Sequence, residues 1–194
     1  MTAGPPSVRA AVRLEHATIA WNTVEVFVTI GLGIAAGSLA LIAFGLDSIV
    51  EIFASGVVLW NLRGVQDERR TRQSLRLVAG AFFTLAAVLL AGGIRNIVSS
   101  HHPDDSPAGI AYVAITAGVM FGLAAAKRQV SREIGNHPLA HEARVTFLDG
   151  LLATGIMLAL VVNTAFGWWW ADPAAALVVA LAGIVEGFGT LRED

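Results

Sequence analysis

The chain reads as an all-α, polytopic membrane protein with six transmembrane helices. Three observations predict this. First, the 194 residues are 55% hydrophobic and only 14% charged, whereas a soluble domain is about a quarter charged; the mean hydropathy is +0.66. Second, six separate apolar runs each approach or exceed the roughly 20 residues that a helix needs to cross the hydrocarbon core. Third, the basic residues fall almost entirely between alternate runs, on one side of the implied membrane.

The runs span residues 17–37, 39–62, 77–99, 108–126, 145–166 and 172–191, each bounded by charge, proline or turn residues. Gly37-Ser38-Leu39 is so short a junction that the first two form a tight antiparallel hairpin. The runs are too long and continuous for the alternation of a barrel, and lone strands cannot sit in lipid. The organisation expected is a cytoplasmic N-terminal segment (1–16), a six-helix transmembrane domain (17–191) and a short cytoplasmic end (192–194). Met1 to Glu15 lacks a short apolar stretch with a small-residue cleavage site, so no signal peptide is expected. Gly33 with Gly37, and Gly183 with Gly187, form small-xxx-small pairs suited to close helix contact.

Orientation follows from the loops. Twelve of the 13 Lys and Arg residues fall on one side, among them Arg9, Arg13, Arg63, Arg69, Arg70, Lys127 and Arg144; only Arg95 falls toward the other. The positive-inside rule puts both termini in the cytoplasm of a cell (inner) membrane protein. Trp21 and Trp60 lie near predicted cytoplasmic ends, and Trp168, Trp169 and Trp170 cluster at the outer start of the sixth run; these are interfacial anchoring positions. The outer loop His101-His102-Pro103-Asp104-Asp105 reads as a solvated connection. The formal net charge of −2 argues against nucleic acid as a partner. With no cysteine, disulfides, thiolate metal sites and Cys nucleophiles are excluded.

The chemistry lies in acids at membrane depth. An ionisable side chain at the centre of a transmembrane helix costs about 2.5–3.5 kcal/mol on insertion scales, so it is a functional candidate by default. Asp47 and Glu51 in the second run, Asp149 in the fifth and Glu25 in the first stand out. No Lys or Arg is expected at comparable depth. Asp47 and Glu51 are four residues apart and share a helix face; they sit about 12 and 18 Å below the outer end of their helix. If the second and fifth helices pack together, Asp47, Glu51 and Asp149 surround one ion. Clustered carboxylates in a low-dielectric site cannot all be ionised unaided. A divalent cation displaces their protons. One site then holds either a metal or protons, the physical basis of exchange. Glu25 reads as an additional ligand, a proton relay or a packing contact, and Asn22 as a further ligand or a cross-helix hydrogen bond. Asp172, just before Pro173, reads as the N-cap of the sixth helix. Glu186 reads as a residue snorkelling near a cytoplasmic helix end.

These residues resemble the cation diffusion facilitator family. The stretch Gly37-Ser38-Leu39-Ala40-Leu41-Ile42-Ala43-Phe44-Gly45-Leu46-Asp47-Ser48-Ile49-Val50-Glu51 resembles the family's first-to-second helix junction. Ala143 through Asp149 to Leu160 resembles its fifth helix, and Trp170-Ala171-Asp172-Pro173-Ala174-Ala175-Ala176-Leu177 the start of its sixth. The resemblance implies six helices, usually a homodimer, and export of divalent cations from the cytoplasm by cation/H⁺ antiport. It also implies a transport site with two residues, four apart, from each of helices two and five: here Asp47 and Glu51, and Val145 and Asp149. Val145 stands where the family commonly has His or Asp, so Asn22 or Glu25 would have to complete the ligand count. The all-oxygen set that remains suits harder ions such as Mn²⁺, with Zn²⁺ and Fe²⁺ left open as cargo. Many members add a cytoplasmic metal-binding domain after the sixth helix. This sequence stops at Asp194, so the resemblance is to the transmembrane domain alone, and a dimer would rest on membrane contacts.

No resident cofactor is expected, and the partners are the lipid bilayer, divalent cations and protons. An enzyme is not expected, because no intramembrane His or activated Ser pairing is evident. Two alternatives remain: a proton-coupled transporter or channel for a non-metal solute, and a non-transporting membrane scaffold that pairs through its small-residue faces.

Overall fold

The computed structural model describes residues 6–62 and 68–192. Among them there are six helices and no strands: α1 (Pro6–Ala36), α2 (Leu39–Leu62), α3 (Glu68–Val98), α4 (Pro107–Ile134), α5 (His137–Phe166) and α6 (Ala171–Arg192). All six are long and apolar enough to cross a membrane. The expected all-helical, six-span fold is therefore the one found. Arg63, counted above with the basic loops, lies outside the described residues.

The helices overrun the apolar runs at the end of the bundle where α1 begins and α6 finishes. Helix α1 starts at Pro6 and α4 continues to Ile134. Apolar counting stops at the first cluster of charges, but a helix continues as long as its charged side chains find water or partners. Only Gly135 and Asn136 separate α4 from α5. Gly135 takes the left-handed conformation (φ 63°) that closes α4, and the Asn136 side chain accepts from Leu139 N–H at 2.8 Å to open α5. At the opposite end, Gly37 turns α1 into α2 with φ 63°.

Three antiparallel pairs make the bundle: α1 with α2, α4 with α5, and α3 with α6. A core of Leu41, Phe44, Phe82, Leu85, Leu89, Val113, Ile156, Leu160 and Val179 joins them. Large apolar side chains such as Phe27, Leu77 and Val185 point outward, as a lipid-facing surface requires. The Gly183 and Gly187 pair is spent inside the chain: Cβ atoms there would meet Phe82 and Phe83 of α3. Close α3–α6 packing, rather than a free surface for a second copy, explains those two glycines.

Asp172 corrects one expectation. It lies within the first turn of α6, yet it caps α2. Its Oδ2 accepts from Leu39 N–H at 2.8 Å and Ala40 N–H at 3.3 Å, and its Oδ1 accepts from Ser38 Oγ. The first amides of a helix have no partner within it. At this buried hairpin they are met by an acid 133 residues further along the chain. The α3–α4 loop adds a strap: Asp104 N–H donates to Ala36 O at 2.8 Å, and Asn163 Nδ2 donates to Pro103 O at 3.3 Å.

Asp172→Ala removes both amide acceptors, so it should lower the stability of the detergent-solubilised protein by about 1–2 kcal/mol, as for a lost helix cap. Asp172→Asn, which keeps an acceptor oxygen, should cost less. Thermal unfolding followed by circular dichroism ranks the two; equal midpoints for Ala and wild type would remove the capping role.

Candidate functional site

Along α1, Glu15, Thr18, Asn22, Glu25 and Thr29 are all fully buried. Their spacing of three and four residues puts them in one stripe on one face. Asp47, Glu51 and Ser55 make a second stripe on α2, and Glu142, Thr146 and Asp149 a third on α5; all are buried. The polar side chains of these three stripes therefore face the interior of the bundle.

Asp47, Glu51 and Asp149 line one cavity of about 210 Å³. Val145, Phe82, Gly183 and Glu186 also line it, with Leu148, Leu151 and Val185 at its margin. The three acids are 6, 3 and 2% exposed. Among the described residues, no three His, Asp or Glu groups converge tightly enough to enclose a single bare ion. The acids instead surround a space with room for several waters as well as an ion. Asp149 is the distinctive member: both its carboxylate oxygens are buried with no hydrogen-bond partner. Unsatisfied buried oxygens of this kind are costly and rare.

The undecided residues separate. Asn22 makes a cross-helix bond, its Nδ2 donating to Glu51 Oε2 at 2.8 Å, and its Oδ1 has no partner. Glu25 is held by different groups: its Oε1 accepts from Ser48 Oγ at 2.6 Å and its Oε2 from Trp21 Nε1 at 3.0 Å. Trp21 is half-buried and also stacks on Tyr112. Glu186, half-buried, lines the same cavity as Asp47.

A second buried cluster was missed. Lys127, counted above as a loop cation, is fully buried in α4. It donates to Glu142 Oε1 of α5 at 2.7 Å, to Thr146 Oγ1 at 3.1 Å and to Glu15 Oε2 of α1 at 3.4 Å. Ser55 Oγ of α2 donates to the same Glu142 Oε1 at 2.7 Å. The expectation that no base lies among the buried acids is corrected accordingly: apolar counting ended the fourth span at residue 126, one short of this lysine. Two signals for it were present. Lys127 is the single lysine of the chain, and Glu142 lies seven residues, two turns, before Asp149 on the same face.

Breaking a buried ion pair on one side typically costs about 3–5 kcal/mol, so Lys127→Met should be strongly destabilising. Adding Glu142→Gln to it removes a stranded carboxylate and should recover part of the loss. Thermal unfolding of the single and double variants tests this, and additive losses would argue against coupling.

Residues 16–194 match a family described as "Cation efflux transmembrane domain". Among curated proteins, "Putative metal tolerance protein C3" of Arabidopsis thaliana is 24% identical over 174 residues, covering 83% of this chain and 42% of that protein. The chain thus spans about two fifths of the length of this relative. The match takes in all of α2 to α6 and most of α1, with every acid of the cavity inside it, and the chain belongs to the cation efflux transmembrane domain family.

Proposed function

We propose that the chain is the membrane core of a divalent-cation transporter that exports its cargo from the cytoplasm in exchange for protons. The observation that carries this reading is the cavity between α2 and α5, lined by Asp47, Glu51 and Asp149, in which both oxygens of Asp149 are buried and unpartnered. A group left so is stabilised by a visiting cation or by protons, and not by both at once. Family membership and the name of the relative point the same way.

In this reading Asp47, Glu51 and Asp149 contact the cation, and Asn22 positions Glu51 and offers its free Oδ1. Glu25, held by Ser48 and Trp21 and not lining the cavity, is a proton-relay candidate rather than a ligand. Because the acids surround a space instead of converging, the cation keeps part of its water shell. Oxygen donors and retained water favour a hard ion such as Mn²⁺ over Zn²⁺. The bias of basic residues toward the side of the termini supports an orientation with both termini in the cytoplasm.

Reconstituted vesicles loaded with a metal-sensitive and a pH-sensitive dye test this. Wild-type protein should move Mn²⁺ and protons in opposite directions, whereas Asp47→Ala and Asp149→Ala should abolish both fluxes while the protein remains folded. Metal flux unchanged in both variants would overturn the site assignment, and proton flux driven only by a non-metal solute would overturn the cargo. Val145→Asp adds a carboxylate to the cavity wall beside Asp47, Glu51 and Asp149. It should lower the half-saturating cation concentration by about tenfold, equivalent to about 1.4 kcal/mol.

A further inference from the structure

The Lys127 cluster has the composition of a cation site that is already filled. Four helices contribute to it: Glu15 from α1, Ser55 from α2, Lys127 from α4, and Glu142 and Thr146 from α5. The three donors of the ammonium are used on three oxygens. Two carboxylates face one ammonium, which leaves one formal negative charge uncompensated, and Glu15 Oε1 is buried without a partner. An arginine would fit poorly, since its planar fork suits paired oxygens in a plane, whereas a compact ammonium substitutes for a small ion. Every other basic residue of the chain is an arginine; where described, those side chains are exposed.

The position matters as much as the composition. Thr146 and Glu142 lie one and two turns from Asp149 toward the start of α5. Ser55 lies one turn beyond Glu51 toward the end of α2. Both directions lead to the end of the bundle where the chain begins and finishes. The cluster therefore adjoins the cavity on that side, and Asn22 and Thr18 continue the buried polar stripe of α1 between the two.

We propose that Glu15, Glu142, Ser55 and Thr146 form a second, staging cation site next to the transport cavity, and that Lys127 is its displaceable resident occupant. Resting on the transport reading above, a divalent cation arriving from the side of the termini takes the place of the ammonium. A double charge matches the two carboxylates, which the ammonium only half neutralises. Lys127 has somewhere to go: it lies seven residues before the end of α4 at Ile134, about 10 Å, and its flexible stem can swing the ammonium out of the site over part of that distance by snorkelling. When the cation moves on, the ammonium returns and closes the site behind it. The ligand class is a hard divalent cation, because every donor is oxygen.

The single lysine makes this directly measurable. In purified full-length protein, the rate at which a small acylating reagent modifies Lys127 can be followed by peptide mass spectrometry, apart from the N-terminal amine. Labelling should be slow in metal-free buffer. Saturating Mn²⁺ should accelerate it about fivefold or more, the lower end of the usual coupling between linked binding events. Glu142→Gln, which weakens the hold on the ammonium, should raise the metal-free rate and reduce the effect of Mn²⁺. Lys127→Gln in an Asp47→Asn/Asp149→Asn background, with folding verified by circular dichroism, should bind one Mn²⁺ per chain about fivefold or more tightly than the same background with Lys127, where the ammonium competes. Mn²⁺ transport by wild type with no change in Lys127 labelling overturns the staging site and leaves the transport reading standing. No Mn²⁺ transport and no labelling response overturn both.

Discussion

Hydrocarbon offers no water to a stray polar group, so each buried donor or acceptor in a membrane bundle has to be met by another part of the chain. Much of this architecture follows from that constraint. The first amides of α2 are met by Asp172 from α6, which holds the first turns of the two helices together. Glu51 is met by Asn22 across the α1–α2 hairpin. Lys127 gathers Glu15 and Glu142, and Ser55 adds α2 to the same group. The polar stripes on α1, α2 and α5 are the inverse of a soluble amphipathic helix: the polar face is the buried one.

Against that background the unmet oxygens of Asp149 carry meaning. The same bundle satisfies most of its other buried acids, some of them with partners from distant helices. A carboxylate left open beside a cavity that also receives Asp47 and Glu51 is what the proposed exchange of cation and protons requires. Apart from Glu186, the rest of the cavity wall is apolar, with Phe82, Val145 and Leu152.

The two acid clusters differ in how their charge is handled. The cavity acids have no base among them, and their neutralisation depends on solutes. Glu15 and Glu142 have a base attached to the backbone of the same chain. Identical residue types thus give an open site and a closed one, a few turns apart, and the difference is a single lysine. Lining up an occupied site with an open one along the same helix faces suits a path through which cations move in steps, since each step exchanges one set of oxygen contacts for another.

Much of the fold was legible from the residues because it rests on one-dimensional quantities. Apolar run length set the six spans, and the i, i+4 spacing put Asp47 and Glu51 on one face. Helix ends were less legible: α1 and α4 run past their apolar windows, because charges that looked like loop residues are paired inside the bundle. The individual partners of buried polar groups were not legible at all. Asp172 caps α2 and not its own helix, Trp21 bonds Glu25, and Lys127 binds acids from residues 15 and 142. Residue identity and periodicity by themselves determined that this is a six-span membrane protein with carboxylates where lipid would exclude them. Only the tertiary structure decided which of those carboxylates are satisfied and which are left open, because that depends on contacts between helices far apart in sequence, and no local pattern encodes them.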